Sequence, residues 1–229
     1  MSLTLYALAG ADPARPFSPH VWKVAMALAH KGLAAETVAV GFTAIPAIEN
    51  GATKLVPLLK DGDTLVSDSF AIARYLEETY PDRPSLFGGP GGLATARFVE
   101  GFSQTRVHPL LTPILITDIH AMLAPADQAY FRESREKRLG RTLEETAAGA
   151  PAAITELRTR LEPLRHTLRH QPFLGGEAPL FADYIVFGAF QWARIVSKTM
   201  VLEADDPVTL WFDRCLDLHA ALGRSVTAA

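Results

Sequence analysis

The 229-residue sequence predicts an α/β unit over residues 1–81 and an all-α unit over 93–229, joined by a linker at 82–92. Three observations carry that division. Strand-like alternation and helix-like periodicity interchange as far as Tyr80. Pro81-Asp82-Arg83-Pro84 and Gly88-Gly89-Pro90-Gly91-Gly92 then punctuate the chain, and beyond them strand signals almost vanish.

Within the first unit, Leu3, Leu5 and Ala7 alternate with Thr4 and Tyr6, the pattern of a short strand. Ser18-Pro19 opens a helix in which Val21, Val24, Ala25 and Leu28 share a face, and Lys31-Gly32 closes it. A second strand is expected over Glu36 to Phe42, then an irregular or briefly helical connection over Thr43 to Gly51. Val56-Pro57-Leu58-Leu59 and Thr64-Leu65-Val66 read as strands joined by a turn at Lys60-Asp61-Gly62-Asp63. Asp68-Ser69 starts a helix running to Tyr80. The order β-α-β-(α)-β-β-α implies a mixed sheet with helices on its faces.

The second unit shows helical periodicity over Leu93–Leu123, Asp127–Ala148, Ala152–Arg169, Ala182–Val196 and Pro207–Leu222. Pro109, Pro113 and Pro163 are expected to kink or split the helices that hold them.

Composition narrows the function. With 48% hydrophobic residues and 22 basic against 25 acidic side chains, the chain is neither a disordered tail nor a nucleic-acid binder driven by bulk positive charge. One cysteine, Cys215, excludes an intramolecular disulfide and is expected to be buried in the last helix. The N-terminus beginning Met1-Ser2 lacks the layout of a secretory signal, and Tyr184 to Val196 carries Gln191 and Arg194 and is too short for a membrane span. A cytoplasmic protein with no membrane partner is expected.

Three features of the first unit belong together. Ser18-Pro19 puts a hydroxyl at the positive end of a helix, because serine is a favoured N-cap and proline a favoured first residue. Proline at Val56-Pro57 cannot donate a ladder hydrogen bond and implies an edge, a bulge or a cis peptide. At Asp68-Ser69, another helix N-terminus, free N–H groups and a hydroxyl suit a carboxylate. Each alone reads as an ordinary cap or turn; together they form a pattern.

A helix-opening serine, a Val-Pro before the third strand and Asp68-Ser69-Phe70-Ala71-Ile72-Ala73-Arg74-Tyr75-Leu76 together resemble the glutathione S-transferases. Tyr80-Pro81-Asp82-Arg83-Pro84 and the helical second half extend the resemblance over nearly the whole chain. Ser18-Pro19-His20-Val21-Trp22-Lys23, Gly41-Phe42-Thr43, and Leu174-Gly175-Gly176 before Phe181-Ala182-Asp183-Tyr184 are similar to the etherase-type branch of bacteria and wood-rotting fungi.

That resemblance implies a thioredoxin-like first domain with a cis-proline, glutathione as co-substrate, no metal, and a homodimer. It implies that Val56 pairs with the cysteinyl backbone of glutathione beside Pro57. It also implies that Ser69 receives the γ-glutamyl carboxylate, that Asp68 takes the ammonium, and that Ser18 holds the thiolate. Tyr6 is the second choice for the sulfur. A basic residue normally precedes the Val-Pro; here Leu55 stands there, with Lys54 one step earlier. The aromatic electrophile is expected against His20, Phe98, Phe102, Arg106 and His108, an apolar pocket with one cation. Glutathione-dependent cleavage of aryl ethers is the more specific version, and a ligand-binding protein with little turnover is the alternative.

Other patterns carry bland readings. Gly88–Gly92 lacks a following Lys-Ser/Thr and is a linker, not a phosphate cradle. His166 and His170 lack a third metal ligand nearby, and the alternating charges of Arg132–Arg138 read as a solvated helix face. Before Asp183, Leu180 replaces the expected Ser, Thr or Asn, which removes half of a capping box at a cost of about 1 kcal/mol.

Overall fold

A computed structural model describes residues 3–229; Met1 and Ser2 lie outside the described residues. The first unit holds β1 (Leu3–Leu8), α1 (Pro19–His30), β2 (Ala35–Val40), a 3₁₀ segment (Phe42–Gly51), β3 (Leu58–Asp61), β4 (Thr64–Ser67) and α2 (Ser69–Thr79). Its sheet runs in the order β2-β1-β3-β4. β1 is parallel to β2, as the intervening α1 requires, and antiparallel to β3, which pairs with β4 through a tight hairpin. This is the mixed, thioredoxin-like sheet the sequence predicts.

Two boundaries differ from expectation. Val56-Pro57, whose peptide bond is cis, precedes β3 instead of opening it, and proline has no N–H to offer the ladder. β3 continues through Asp61, leaving Gly62 (φ +57°) and Asp63 as the turn. Asp61 is buried and accepts hydrogen bonds from the Tyr75 and Tyr80 hydroxyls at 2.9 and 2.6 Å. A residue that reads as turn in sequence thus fastens α2 to the sheet.

The second unit contains α3 (Pro90–Phe102), a π-helical turn (Ser103–Val107), α4 (His108–Met122), α5 (Pro125–Leu139), α6 (Leu143–Ala147), α7 (Ala150–Arg160), α8 (Glu162–Leu168), α9 (Phe181–Val196) and α10 (Pro207–Ala221). The punctuation at Gly88–Gly92 is shorter than a linker: Pro90 is already in the first turn of α3, where a missing N–H costs nothing. The expected kink before Pro109 is the π-turn. Proline has no N–H to continue the ladder, and an extra residue in the preceding turn absorbs the change.

α9 is the central core element, and its closest packing is against α1. A Cβ on Gly188 would sit 2.3 Å from the Pro19 carbonyl oxygen, so the helix backbones touch where α1 begins. Asp183 organises the entry to α9. Its carboxylate accepts N–H groups from Leu174 (2.7 Å), Gly175 (2.9 Å), Leu180 (3.0 Å) and the Trp211 indole (2.8 Å). The Asp183 N–H, which the absent Ser or Thr would have satisfied, donates to Leu180 O at 2.9 Å. Leu180 therefore leaves no orphan donor, contrary to the expected penalty.

Lys23 of α1 is fully buried and pairs with Glu100 of α3 at 2.9 Å, a second tie between the units. Cys215 is buried as expected. Among the described residues no helix is long and apolar enough to cross a membrane.

Candidate functional site

Two cavities meet at His20 and Val56, which line both. The smaller, about 340 Å³, lies in the first unit and is lined by Thr53, Lys54, Leu55, Val56, Pro57, Ser67, Asp68 and Ser69. Every residue expected to hold glutathione except Ser18 is there. The Val56–Pro57 peptide bond is cis, and both residues line this cavity just before β3 begins.

The α2 N-terminus differs in detail from expectation. Asp68, at φ +75°, caps its own helix: Oδ1 accepts the Phe70 and Ala71 N–H groups at 3.0 and 2.9 Å. These donors are therefore not free for an incoming carboxylate. Sequence reasoning placed a cap here but did not subtract the donors that the cap consumes. What remains at this helix end is the Ser69 N–H, the buried Ser69 hydroxyl and Asp68 Oδ2.

Ser18 lies in the wall of the second cavity, of about 410 Å³. It is the N-cap of α1 in extended geometry (φ −60°, ψ 127°), followed by Pro19. Unlike most N-cap serines, it makes no capping hydrogen bond through its side chain, so its hydroxyl is uncommitted within the helix. It is only 4% exposed. A desolvated hydroxyl at a helix N-terminus, facing a cavity, suits an anion.

Tyr6 is placed differently. Its hydroxyl donates to Glu49, whose carboxylate also binds Lys60 at 2.8 Å, and Tyr6 lines neither cavity. The Glu49 carboxylate, more than burial, raises the Tyr6 pKa and keeps the phenol protonated. Tyr6 is therefore engaged away from the site.

The larger cavity is walled by rings: Phe17, Phe42, Phe131, Trp192, and the stacked imidazoles of His20 and His108, whose centroids are 5.5 Å apart. Burial is the main cause that depresses both imidazoles, with Lys23 adding to it; His108 falls to about 3 and His20 well below its ordinary value. Both are neutral at physiological pH. His20 and His108 thus stand where sequence placed them.

Phe98, Phe102 and Arg106 do not. None lines either cavity, and Phe98 is 77% exposed. The π-turn over Ser103–Val107 shifts the helical register, so that Gln104 and His108 face the cavity and Arg106 faces solvent. The cations of the cavity are instead Arg135 and Arg138 of α5. Arg135 stands over the rings of Phe131 (4.7 Å) and Phe42 (5.2 Å), so the Arg132–Arg138 run is not wholly a solvated face.

What brings α5 here is the Gly41-Phe42-Thr43 turn. Buried Asp127 accepts the Thr43 N–H at 2.8 Å, and a Cβ on Gly41 would overlap its Oδ2 at 2.1 Å. The turn was visible in sequence as a motif; its docking partner was not. His166 and His170 pack on each other at 5.3 Å, and among the described residues no three potential metal ligands cluster.

Known proteins share this architecture. Residues 13–84 match the family model for the glutathione S-transferase N-terminal domain, and residues 94–217 match that for the C-terminal domain. A glutathione S-transferase-like protein of Aspergillus flavus is 30% identical over 140 residues, 56% of this chain; the match spans half of that protein's length. A probable glutathione S-transferase of Oryza sativa is 26% identical over 76% of this chain and 69% of its own. The crystal structure of glutathione transferase GSTFuA3 from Phanerochaete chrysosporium superposes with a TM-score of 0.77 at 27% identity, covering 96% of this chain and 92% of that one. A Ceriporiopsis subvermispora glutathione S-transferase in complex with glutathione gives 0.79 at 25% identity, with 96% and 97% covered.

Proposed function

The chain belongs to the glutathione S-transferase family, and on that premise we propose that it uses Ser18 to hold glutathione as a thiolate for attack on an aromatic electrophile. The carrying observation is the uncommitted Ser18 hydroxyl in a cavity that joins, at His20 and Val56, the one lined by Pro57, Asp68 and Ser69. In this reading Val56 pairs with the cysteinyl backbone, Ser69 and its N–H receive the γ-glutamyl carboxylate, Asp68 Oδ2 takes the ammonium, and Lys54 meets the glycyl carboxylate. The sulfur then lies at the junction, beside Ser18.

A free thiol with a pKa near 8.5 is only a few per cent ionised at neutral pH. Lowering it by about 1.5 units requires about 2 kcal/mol of preferential thiolate stabilisation. A hydroxyl donating to an anion contributes about 1.5–3 kcal/mol, and a helix N-terminus about 0.3–1 kcal/mol. Their sum suffices. The thiol proton leaves to solvent, a carbon–sulfur bond forms, and the leaving group departs with its electron pair. With an aryl ether the leaving group is a phenolate, which departs into the ring-walled cavity.

Replacing Ser18 with alanine is expected to cut turnover at least about tenfold, the loss of one charge-assisted hydrogen bond, while leaving glutathione affinity mostly intact. Unchanged turnover would remove Ser18 from the mechanism. Binding of aromatic ligands without conjugation across a panel of electrophiles would favour a carrier role instead. A homodimer fits the exposed apolar Leu55 and Phe98, and light scattering giving a monomer mass would exclude it.

A further inference from the structure

The larger cavity has an electrostatic asymmetry that the proposed thiolate chemistry does not use. Two guanidiniums line it, and no aspartate or glutamate does. Along α5, Asp127 and Glu136 are already engaged, and the exposed Glu133 does not line the cavity. Arg132 pairs with Glu136 and Glu144, each at 2.8 Å, and Asp127 holds the Thr43 N–H. Among the described residues neither Arg135 nor Arg138 has a carboxylate partner; Arg135 donates only to Ser134 Oγ, at 3.1 Å.

Arg135 also sits in a costly place. It is half-buried over Phe42 and Phe131, and desolvation, then the charge of Arg138, lowers its pKa. An unpaired, partly desolvated cation is stabilised by any anion that can reach it. The planar fork of a guanidinium fits a carboxylate in two hydrogen bonds. The rings beside it offer a flat apolar surface to the body of the same ligand.

We propose that this cavity selects aromatic electrophiles bearing a carboxylate, which Arg135 and Arg138 bind while the ring lies against Phe42 and Phe131 and the reacting carbon meets the sulfur at Ser18. This rests on the transferase reading above and names its substrate class. For a ring carrying chlorine activated by a nitro group, the thiolate adds to the chlorine-bearing carbon. The carbon–sulfur bond forms, the carbon–chlorine bond breaks, and chloride leaves with the electron pair. The carboxylate is a spectator, held by the two arginines.

The test compares para-chloro-meta-nitrobenzoate with its uncharged benzamide, each rate normalised to the uncatalysed reaction with glutathione. The native protein is expected to favour the acid at least about tenfold in kcat/KM, the worth of a charge-assisted pair. In Arg135→Gln/Arg138→Gln the preference is expected to fall toward unity with glutathione affinity retained. Arg135→Lys keeps a charge without the fork and is expected to lie between. The single variant at the exposed Arg138 guards against loss of the Arg135 packing, and calorimetric binding of the two compounds gives a readout free of turnover.

A native preference near unity, or one that survives the double variant, overturns the proposal while leaving the thiolate mechanism intact. So does loss of glutathione affinity with the preference unchanged, which would assign the arginines to the tripeptide. If neither compound is conjugated, the transferase reading fails. Calorimetry then decides the cavity's preference by itself: tighter, arginine-dependent binding of the acid supports it, and equal binding overturns it.

Discussion

The two cavities that meet at His20 and Val56 are built by different means. The smaller is made largely of local backbone features and short polar caps: a cis peptide at Val56–Pro57, the capped start of α2 at Asp68, and the hydroxyl of Ser69. The larger is made of side chains sent from the loop before α1, the 3₁₀ segment, α4, α5 and α9. Backbone sites need particular local residues, because only proline, glycine and the short polar caps produce those conformations. Side-chain sites need only that distant faces converge, and many sequences satisfy that. A fixed tripeptide suits the first kind of site and a variable electrophile the second.

The largest break in this contrast should come where both cavities share support. Gly188 of α9 lets α1 approach within contact of its backbone, and Ser18 caps that end of α1. Gly188→Val would press on the Pro19 carbonyl, which cannot swing away as a side-chain tip can. A loss of about 1–3 kcal/mol in urea unfolding is expected from this overpacking, together with reduced turnover for every electrophile. Unaltered stability and turnover would mean that α1 is not positioned by this contact.

A smaller effect should separate the cavities. Gly41→Ala would crowd the Asp127 carboxylate, which holds Thr43 and so sets Phe42 against α5. A destabilisation of about 1 kcal/mol is expected, since the Asp127 side chain can yield. The electrophile KM should rise severalfold while glutathione affinity, measured by calorimetry, stays constant. Equal changes in both would show that the two cavities are not independent.

The same contrast explains what the sequence disclosed. Ser18, the cis candidate Val56-Pro57 and Asp68-Ser69 were legible because each is a local rule of backbone chemistry, and the structure lines all of them along the paired cavities. The mixed character of the sheet was legible too, since a parallel pair needs a crossover and a hairpin needs its glycine. Two things were hidden. Phe98, Phe102 and Arg106 were placed by the family resemblance, and the π-turn before Pro109, which turns Gln104 and His108 to the cavity, has no local sequence signal that a resemblance carries. Arg135 looked like part of a solvated charge run because Phe42, the ring it covers, comes from the other unit. The donors used up by Asp68 were a third omission, of accounting rather than of pattern.

The proposed chemistry turns on one hydroxyl holding an anionic sulfur. Its most direct test is the pH titration of bound glutathione, followed by the ultraviolet absorbance of the thiolate, in the native protein and in Ser18→Ala. A depressed pKa means that the thiolate form dominates above the new value and gives way to the thiol as pH falls through it. The native protein should titrate about 1.5 units below the free thiol, and the alanine variant should return most of the way to about 8.5. Identical titrations in the two proteins would contradict the role assigned to Ser18.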